Sequence, residues 1–351
     1  MRLAVDVMGG DHGPEELLHG IKLGLAEEPA IVSLHVVGRE EEVRPLCERI
    51  GLRDARVQIH HASEVLTMED KPVQGLRKKK DCSLLRAVEL VKDGKADAVI
   101  SAGNTGGIVA ASTIRLRTLE GVERPTLACI MPSRNGAFVL VDGGANPDCT
   151  PHTLLQFAVM GSVYSRAMLG VENPRVGILS NGTEETKGTE LTRTAVELLK
   201  RTSLNSTGYC EGYDLFTGGV DVVVCDGFVG NIVLKTAEGL GKTFGALLKE
   251  ELTANPIRML GALLARGGLG KIKVRMNPDT YGGAPLLGLN GSVVKIHGSA
   301  KRFALKNAIR QSLRVVSQNL KETITREIAA ANAAAANAAA ADDAPGAASA
   351  R

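Results

Sequence analysis

The chain has 351 residues, enough for one large domain or two lobes around a sizeable core. Hydrophobic residues make up 44% and charged ones 23%, and a formal net charge of +3 is too small to argue for nucleic acid binding. Six scattered cysteines without a Cys-x-x-Cys pair argue against a disulfide framework or structural zinc and for a reducing cytoplasm. The opening MRLAVDVMGGDHG puts Asp6 inside its only apolar run and does not read as a signal peptide. No apolar run approaches the ~20 residues that a membrane-spanning helix needs.

In chain order, β-branched runs alternate with helical patterns. RLAVDV (2–7) is a strand, and a helix from Pro14 sets Leu18, Ile21 and Leu25 on one face. SLHVVG (33–38) and VQIHH (57–61) follow, then a helix near 83–92 burying Leu84, Val88 and Val91, then ADAVIS (96–101). LACIM (127–131), AFVLVD (137–142), RVGILS (175–180), VDVVVCD (220–226) and SVVKIH (292–297) continue the series. Strands spaced by amphipathic helices predict a doubly wound, mostly parallel α/β sheet. A long helix from about 230 aligns Val233, Ala237, Leu240, Phe244 and Leu247 in a stripe expected to be buried, and another from about 302 repeats Ile309, Leu313, Val316, Leu320 and Ile324. From Ala329 the chain is alanine-rich with no apolar face, which predicts a disordered tail after a single α/β domain over 1–328.

Ligands of open α/β sheets sit beyond the carboxyl ends of strands, where helix N-termini offer unpaired N–H groups and positive potential. Five strand ends here have that design. ISAGNTGG carries Asn104 and Thr105, VDGGAN carries Asp142 and Asn146, and ILSNGTEETKG carries Glu184 and Lys187. CDGFVGNIVLK carries Asp226, Gly230, Asn231 and Lys235, and KIHGS carries His297 and Ser299. Gly and Asn are default turn residues, so one such elbow says little, but five together point to an anion site. No Gly-x-Gly-x-x-Gly follows the first strand, and Gly241-Lys242-Thr243 lacks the first glycine of a Walker motif, Thr236 standing there. Asp6 and Asp11 lie among turn residues, and no metal is assigned to them.

Six ordered segments, AVDVMGGDHGP, SAGNTGG, VDGGAN, TEETKGTEL, DVVVCDGFVGNIVLK and LLGLNGSVVKIHGSA, resemble the PlsX family of phosphate acyltransferases. The resemblance covers residues 1 to about 327, with Gly107 standing where alanine is expected and Gly143 as an additional glycine. It implies transfer of a fatty acyl group from acyl carrier protein to inorganic phosphate, giving acyl phosphate for phospholipid synthesis. It also implies a homodimer, no cofactor, and a fold related to phosphate acetyltransferase and the isocitrate/isopropylmalate dehydrogenases.

The residues suit that chemistry on their own account. Attack of phosphate on a thioester needs an anion cradle, a donor for the developing oxyanion and a proton for the leaving thiolate. Lys187, Lys235 and helix N-termini can form the cradle, and the amides of Asn104, Asn146 and Asn231 can face the oxyanion. Phosphate is itself a nucleophile, so no Ser-His-Asp or Cys-His arrangement is required, and proximity supplies much of the rate. His297 is the candidate proton donor, with capping of the next helix as its structural alternative. Asp226 either orients a neighbouring cation or caps the helix after it.

Two peripheral features stand out. Arg77, Lys78, Lys79 and Lys80 form a basic run that either docks the acidic carrier protein or is a solvated surface. In 253–275, Asn255-Pro256 breaks a helix, and Ile257, Leu260, Leu263 and Leu264 form an apolar stripe flanked by Arg258, Arg266, Lys271, Lys273 and Arg275. Such a helical hairpin, about 251–276, suits the inner face of an anionic membrane, with packing on the core or on a dimer partner as the alternative. Three other functions remain possible from sequence: a short-chain phosphotransacetylase using coenzyme A, a dehydrogenase of the related fold, and a non-catalytic membrane scaffold for lipid enzymes.

Overall fold

The computed structural model describes residues 1–184 and 186–342. The chain begins with β1 (Arg2–Asp6), α1 (Pro14–Glu27), β2 (Ser33–Gly38), α2 (Glu40–Ile50), β3 (Val57–His61), α3 (Pro72–Lys78), α4 (Ser83–Lys92), β4 (Ala98–Ser101) and α5 (Thr105–Leu116). It continues with β5 (Thr126–Leu127), β6 (Cys129–Ser133), β7 (Gly136–Val141), α6 (Pro151–Leu169), β8 (Val176–Leu179), α7 (Glu190–Lys200), β9 (Ser206–Cys210), α8 (Asp214–Thr217) and β10 (Val222–Val224). The last part holds α9 (Gly227–Thr253), α10 (Pro256–Leu264), α11 (Arg266–Met276), a 3-10 turn (Pro278–Tyr281), β11 (Ala284–Leu287), β12 (Ser292–Lys295), α12 (Arg302–Ser317) and α13 (Leu320–Asp342).

The strands form two sheets, β3-β2-β1-β4-β12-β11-β5 and β6-β7-β10-β8-β9. The first is covered on both faces, which is why its strands read as continuous apolar runs rather than as alternation. Val99 and Val293 join the core under α4 and α5, while Ala98, Ile100 and Val294 join the one under α1 and α12. In the second sheet Val139, Val141, Val222 and Val224 pack against α6, α7 and α13.

Pairing is parallel through most of both sheets, but β11 runs antiparallel to β12 and β5, and β6 runs antiparallel to β7. The expected strand 127–131 is broken at Ala128, so that β5 and β6 belong to different sheets. This break fixes the architecture. β5 runs with β12, its continuation β6 runs against β7, and so the carboxyl edges of the two sheets point towards each other across a cleft.

Helix α9 spans that cleft. It starts at the carboxyl edge of the second sheet, reaches His297 at the edge of the first through Glu238, and then continues into solvent. At 1.5 Å per residue it is about 40 Å long. Here the expected burial fails, since Leu240, Phe244 and Leu247 are 69%, 63% and 57% exposed. The periodicity correctly marks an amphipathic helix but cannot say whether the apolar face meets this chain or another surface. α10 and α11 return from its tip, and no residue of either is buried.

Two further expectations are corrected. The helix predicted through 302–324 is broken between α12 and α13, with Asn319 in the left-handed region at φ 47°. The alanine-rich tail is helical as far as Asp342, because α13 has partners on α6 and the loop before it. Ile328 and Ala331 are buried, Arg166 pairs with Glu327, and Asn332 accepts from Gln156 and donates to the carbonyl of Gly121. Residues 343–351 of the predicted tail lie outside the described residues. Strands β9 and β11 carry no strong apolar alternation and were not expected from the sequence.

Candidate active site

The carboxyl edge of the first sheet presents Asp6, Ser101 and Lys295 on neighbouring strands β1, β4 and β12. Ser101 Oγ donates to Asp6 Oδ2 at 2.7 Å and accepts from the Gly103 N–H, which ties the loops after β1 and β4 together. Burial pushes the Asp6 carboxyl above the usual range, against the hydrogen bonds from Ser101, Ser83 and the Met8 N–H. Asn104 then caps α5. Its Oδ1 accepts from the Gly107 N–H at 3.1 Å and its Nδ2 donates to the Met68 carbonyl at 3.0 Å. A Cβ at Gly107, the position where alanine is expected, would stand 2.3 Å from Leu66 Cδ2.

The second edge is organised by buried Asp142. It accepts from the N–H groups of Leu127, Gly144, Ala145 and Asn146 and from Asn146 Nδ2. Asn146 Nδ2 also donates to the Pro125 carbonyl at 2.7 Å, so both of its amide hydrogens are engaged inside the loop. The additional Gly143 lies against the cleft strand, where a Cβ would meet Cys129 Sγ at 2.4 Å. The start of α9 is seated on the same loop through glycines. Gly227 N donates to the Asn146 carbonyl, and a Cβ on Gly230 would stand 1.9 Å from the Asp142 carbonyl. Asp226 Oδ1 accepts from the Val229 N–H as a helix cap. This elbow therefore directs its hydrogen bonds into its own scaffold.

One face of α9 carries the free groups. Asn231 lies against Gly144, Leu234 against Gly143, and Lys235 and Glu238 follow one and two turns on. Asn231 and Lys235 are exposed and have no side-chain hydrogen bond among the described residues. Glu238 Oε2 lies 3.8 Å from His297 Nε2. The other ring nitrogen, Nδ1, accepts from the Ser299 N–H at 3.2 Å and lies 2.8 Å from Ser299 Oγ, which leaves the ring proton on Nε2. His297 thus presents an N–H donor towards α9 and the cleft. Asp279 stands nearby; burial raises its carboxyl and the imidazole of His297 pulls it down.

Thiol chemistry does not suit this cleft. Burial pushes Cys129 and Cys149 up to about 12 and also raises Cys225 well above the usual thiol value, so all three are neutral thiols at neutral pH. Among the described residues no group of three or more His, Cys, Asp or Glu is arranged to hold a metal.

The expected residues therefore separate into groups. Asn231, Lys235 and His297 share the cleft with Thr105 at the start of α5. Asn104, Asn146, Asp226 and Gly230 form its frame. Glu184 and Lys187 lie on an exposed loop after β8, at the second sheet's carboxyl edge, packed over Gly182, and Lys187 Nζ has no hydrogen bond among the described residues. In the basic run, Lys79 is tied to Asp70 and the Val65 carbonyl, while Arg77, Lys78 and Lys80 are exposed. Two residues at the cleft were missed from sequence, Glu238 and Lys295. A lysine closing the buried run SVV was a usable signal, masked by the histidine two residues on.

A profile of the family described as "Fatty acid synthesis protein" matches residues 1–323. The phosphate acyltransferase of Akkermansia muciniphila is 44% identical over 94% of this chain and 96% of its own length. That of Desulfitobacterium hafniense is 46% identical over 93% and 98%. Among solved structures, a phosphotransacetylase from Streptococcus pyogenes aligns with a TM-score of 0.59 at 17% identity, covering 90% of this chain and 94% of that one. A branched-chain phosphotransacylase from Enterococcus faecalis V583 aligns at 0.53 and 16%, covering 90% and 99%. These structures share the fold, and the sequence relatives fix the kinship: the chain belongs to the phosphate acyltransferase (PlsX) family of acyltransferase enzymes.

Proposed function

We propose that the protein transfers a fatty acyl group from acyl carrier protein to inorganic phosphate, giving acyl phosphate for phospholipid synthesis. The observation that carries this reading is a cleft with free cations and an aimed N–H donor but, among the described residues, no activated nucleophile of its own. The nucleophile then has to be the substrate phosphate. A phosphate oxygen attacks the thioester carbonyl, and the amide of Asn231 donates to the oxyanion that forms. Collapse breaks the C–S bond, and the proton that the attacking hydrogen phosphate gives up passes to the thiolate, whose sulfur accepts a hydrogen bond from the Nε2–H of His297. Acyl phosphate and free thiol leave, and the imidazole keeps its Nε2 proton.

Carrier protein rather than coenzyme A is the donor in this reading, supported by the exposed Arg77, Lys78 and Lys80 beside the α5 edge of the cleft. The exposed apolar faces of α9 to α11 support two further parts. Leu240, Phe244 and Leu247 suit a second copy of the chain, and Ile257 and Leu264, 84% and 81% exposed, suit the inner face of a membrane. Arg266, Lys271 and Lys273 are exposed beside them, whereas Arg275 is held by the Ser133 and Arg134 carbonyls. Among the described residues no helix is long and apolar enough to cross a membrane.

Trapping with hydroxylamine tests the reaction. Long-chain acyl carrier protein plus phosphate should yield acyl hydroxamate only when phosphate is present. Turnover with acetyl coenzyme A and none with carrier protein would make the protein a short-chain phosphotransacetylase. Silence with both donors, in folded protein, would make it a scaffold.

A further inference from the structure

Lys295 is the last residue of β12, at the middle of the first sheet's carboxyl edge and in register with Ser101. Along this strand Val293 belongs to the core under α4 and α5, and Val294 and Ile296 to the opposite one. Alternation therefore turns the Lys295 side chain to the α5 side of the sheet. The core on that side includes Cys129 and is lined by Val229, Val233, Leu234 and Ala237 of α9. Lys235 and Glu238 on the free face of α9, together with Cys129 of β6, are the groups that act on the Lys295 ammonium.

Its surroundings do not neutralise it. Lys295 Nζ has no hydrogen bond or ion pair among the described residues. Burial pushes it below the usual lysine value. The Cys129 thiol and Glu238 act to raise it and Lys235 to lower it, but Cys129 is held up to about 12 and carries no charge at neutral pH. That leaves Glu238, whose carboxylate is directed at His297, against two lysines. A half-buried lysine left without a counter-ion among the described residues opposes folding, unlike Lys79 with Asp70.

We infer that Lys295 is the residue that binds the phosphoryl group, its missing counter-ion being the phosphate that attacks and the acyl phosphate that forms. The assignment rests on phosphate being a substrate. Three ammonium hydrogens can hold one phosphate, with the Lys235 ammonium and the Asn231 amide reaching it from α9. No proton is transferred by Lys295; it holds the nucleophile in line with the carbonyl and stays charged throughout.

The test compares wild type with Lys295→Met and Lys295→Arg, reading melting temperature with and without inorganic phosphate and KM for each substrate. Without phosphate, the methionine variant should melt no lower than wild type, since it removes an uncompensated charge. It should lose the phosphate-induced rise in melting temperature. Its KM for phosphate should rise about 30-fold, the scale of a lost charge-assisted hydrogen bond, with the KM for the acyl donor nearly unchanged. The arginine variant should recover part of the phosphate response. Should the variants misfold, reductive methylation of wild type read by peptide mass spectrometry replaces them. Lys295 should be modified alone and protected by phosphate, with Lys78 modified in both.

Lys295 unmodified in both conditions, modified equally in both, or a methionine variant with the wild-type phosphate response would overturn the assignment. If wild type makes acyl phosphate while Lys295→Met matches it, only the role of Lys295 falls. If wild type neither binds phosphate nor uses it, the acyltransferase reading falls with it.

Discussion

Two loops face each other across the cleft, VDGGAN after β7 and KIHGS after β12, and they treat their polar atoms in opposite ways. Asp142 and Asn146 direct theirs to the surrounding backbone and to each other, so the loop is satisfied before any substrate arrives. Lys295 has no hydrogen-bond or ion-pair partner among the described residues, and His297 is fixed through Nδ1 with Nε2 pointing outward. In sequence both are polar residues among glycines at a strand end. A buried polar group with all its partners holds shape, whereas one lacking them marks where a ligand belongs.

The contrast predicts different kinds of damage. Asp142→Ala should have the largest effect, because it leaves the Leu127, Gly144, Ala145 and Asn146 N–H groups without their acceptor. A loss of roughly 3–5 kcal/mol in denaturant unfolding is expected. If stability holds and only turnover drops, Asp142 belongs with the open loop and the distinction fails. Gly230→Ala comes next, since the new methyl group would meet the Asp142 carbonyl at 1.9 Å. The main chain on both sides is fixed, so about 3 kcal/mol should be lost together with activity.

Asn231→Ala lies on the open side and should reverse that pattern. Its amide has no hydrogen bond among the described residues, so the melting temperature should stay within a degree or two by the usual scale of surface substitutions. The maximal rate should fall about 100-fold, as when one oxyanion donor is lost. Equal losses of rate and stability would return Asn231 to the frame.

Most of the fold was legible because buried parallel strands and amphipathic helices leave period and composition in the chain. β9 and β11 escaped because STGYC and APLL are short and lack that pattern. The split at Ala128 was invisible because it is a change of sheet within one apolar run. For α9 the amphipathic face was right and its burial wrong, since the sequence does not name what covers it. At the site, the residue types were legible and their division of labour was not. Asn104, Asn146 and Asn231 are alike as letters, yet two are bonded into loops and one is free, a difference made by residues such as Met68 and Pro125 that are distant in sequence.

The same division runs through the basic segment, where the smallest effects are expected. Lys79 donates to Asp70 and to the Val65 carbonyl, and together with the Thr67 N–H it lowers Asp70 to about 2. A carboxylate with a lowered folded value contributes stability above its unfolded value, and that contribution is lost as pH falls towards 2. The stability difference between wild type and Lys79→Met should therefore shrink between pH 4 and pH 2. Lys78 and Lys80 are exposed and make no hydrogen bond or ion pair among the described residues, so replacing both by alanine should leave the unfolding curve alone at any pH. If they meet an acidic carrier protein, the pair should raise its KM a few-fold at low salt, and the effect should disappear near 0.5 M salt, where the screening length is only about 4 Å. A KM unchanged at every salt concentration would leave Lys78 and Lys80 as solvated surface, and Lys79 would remain the only member of the run with a defined task.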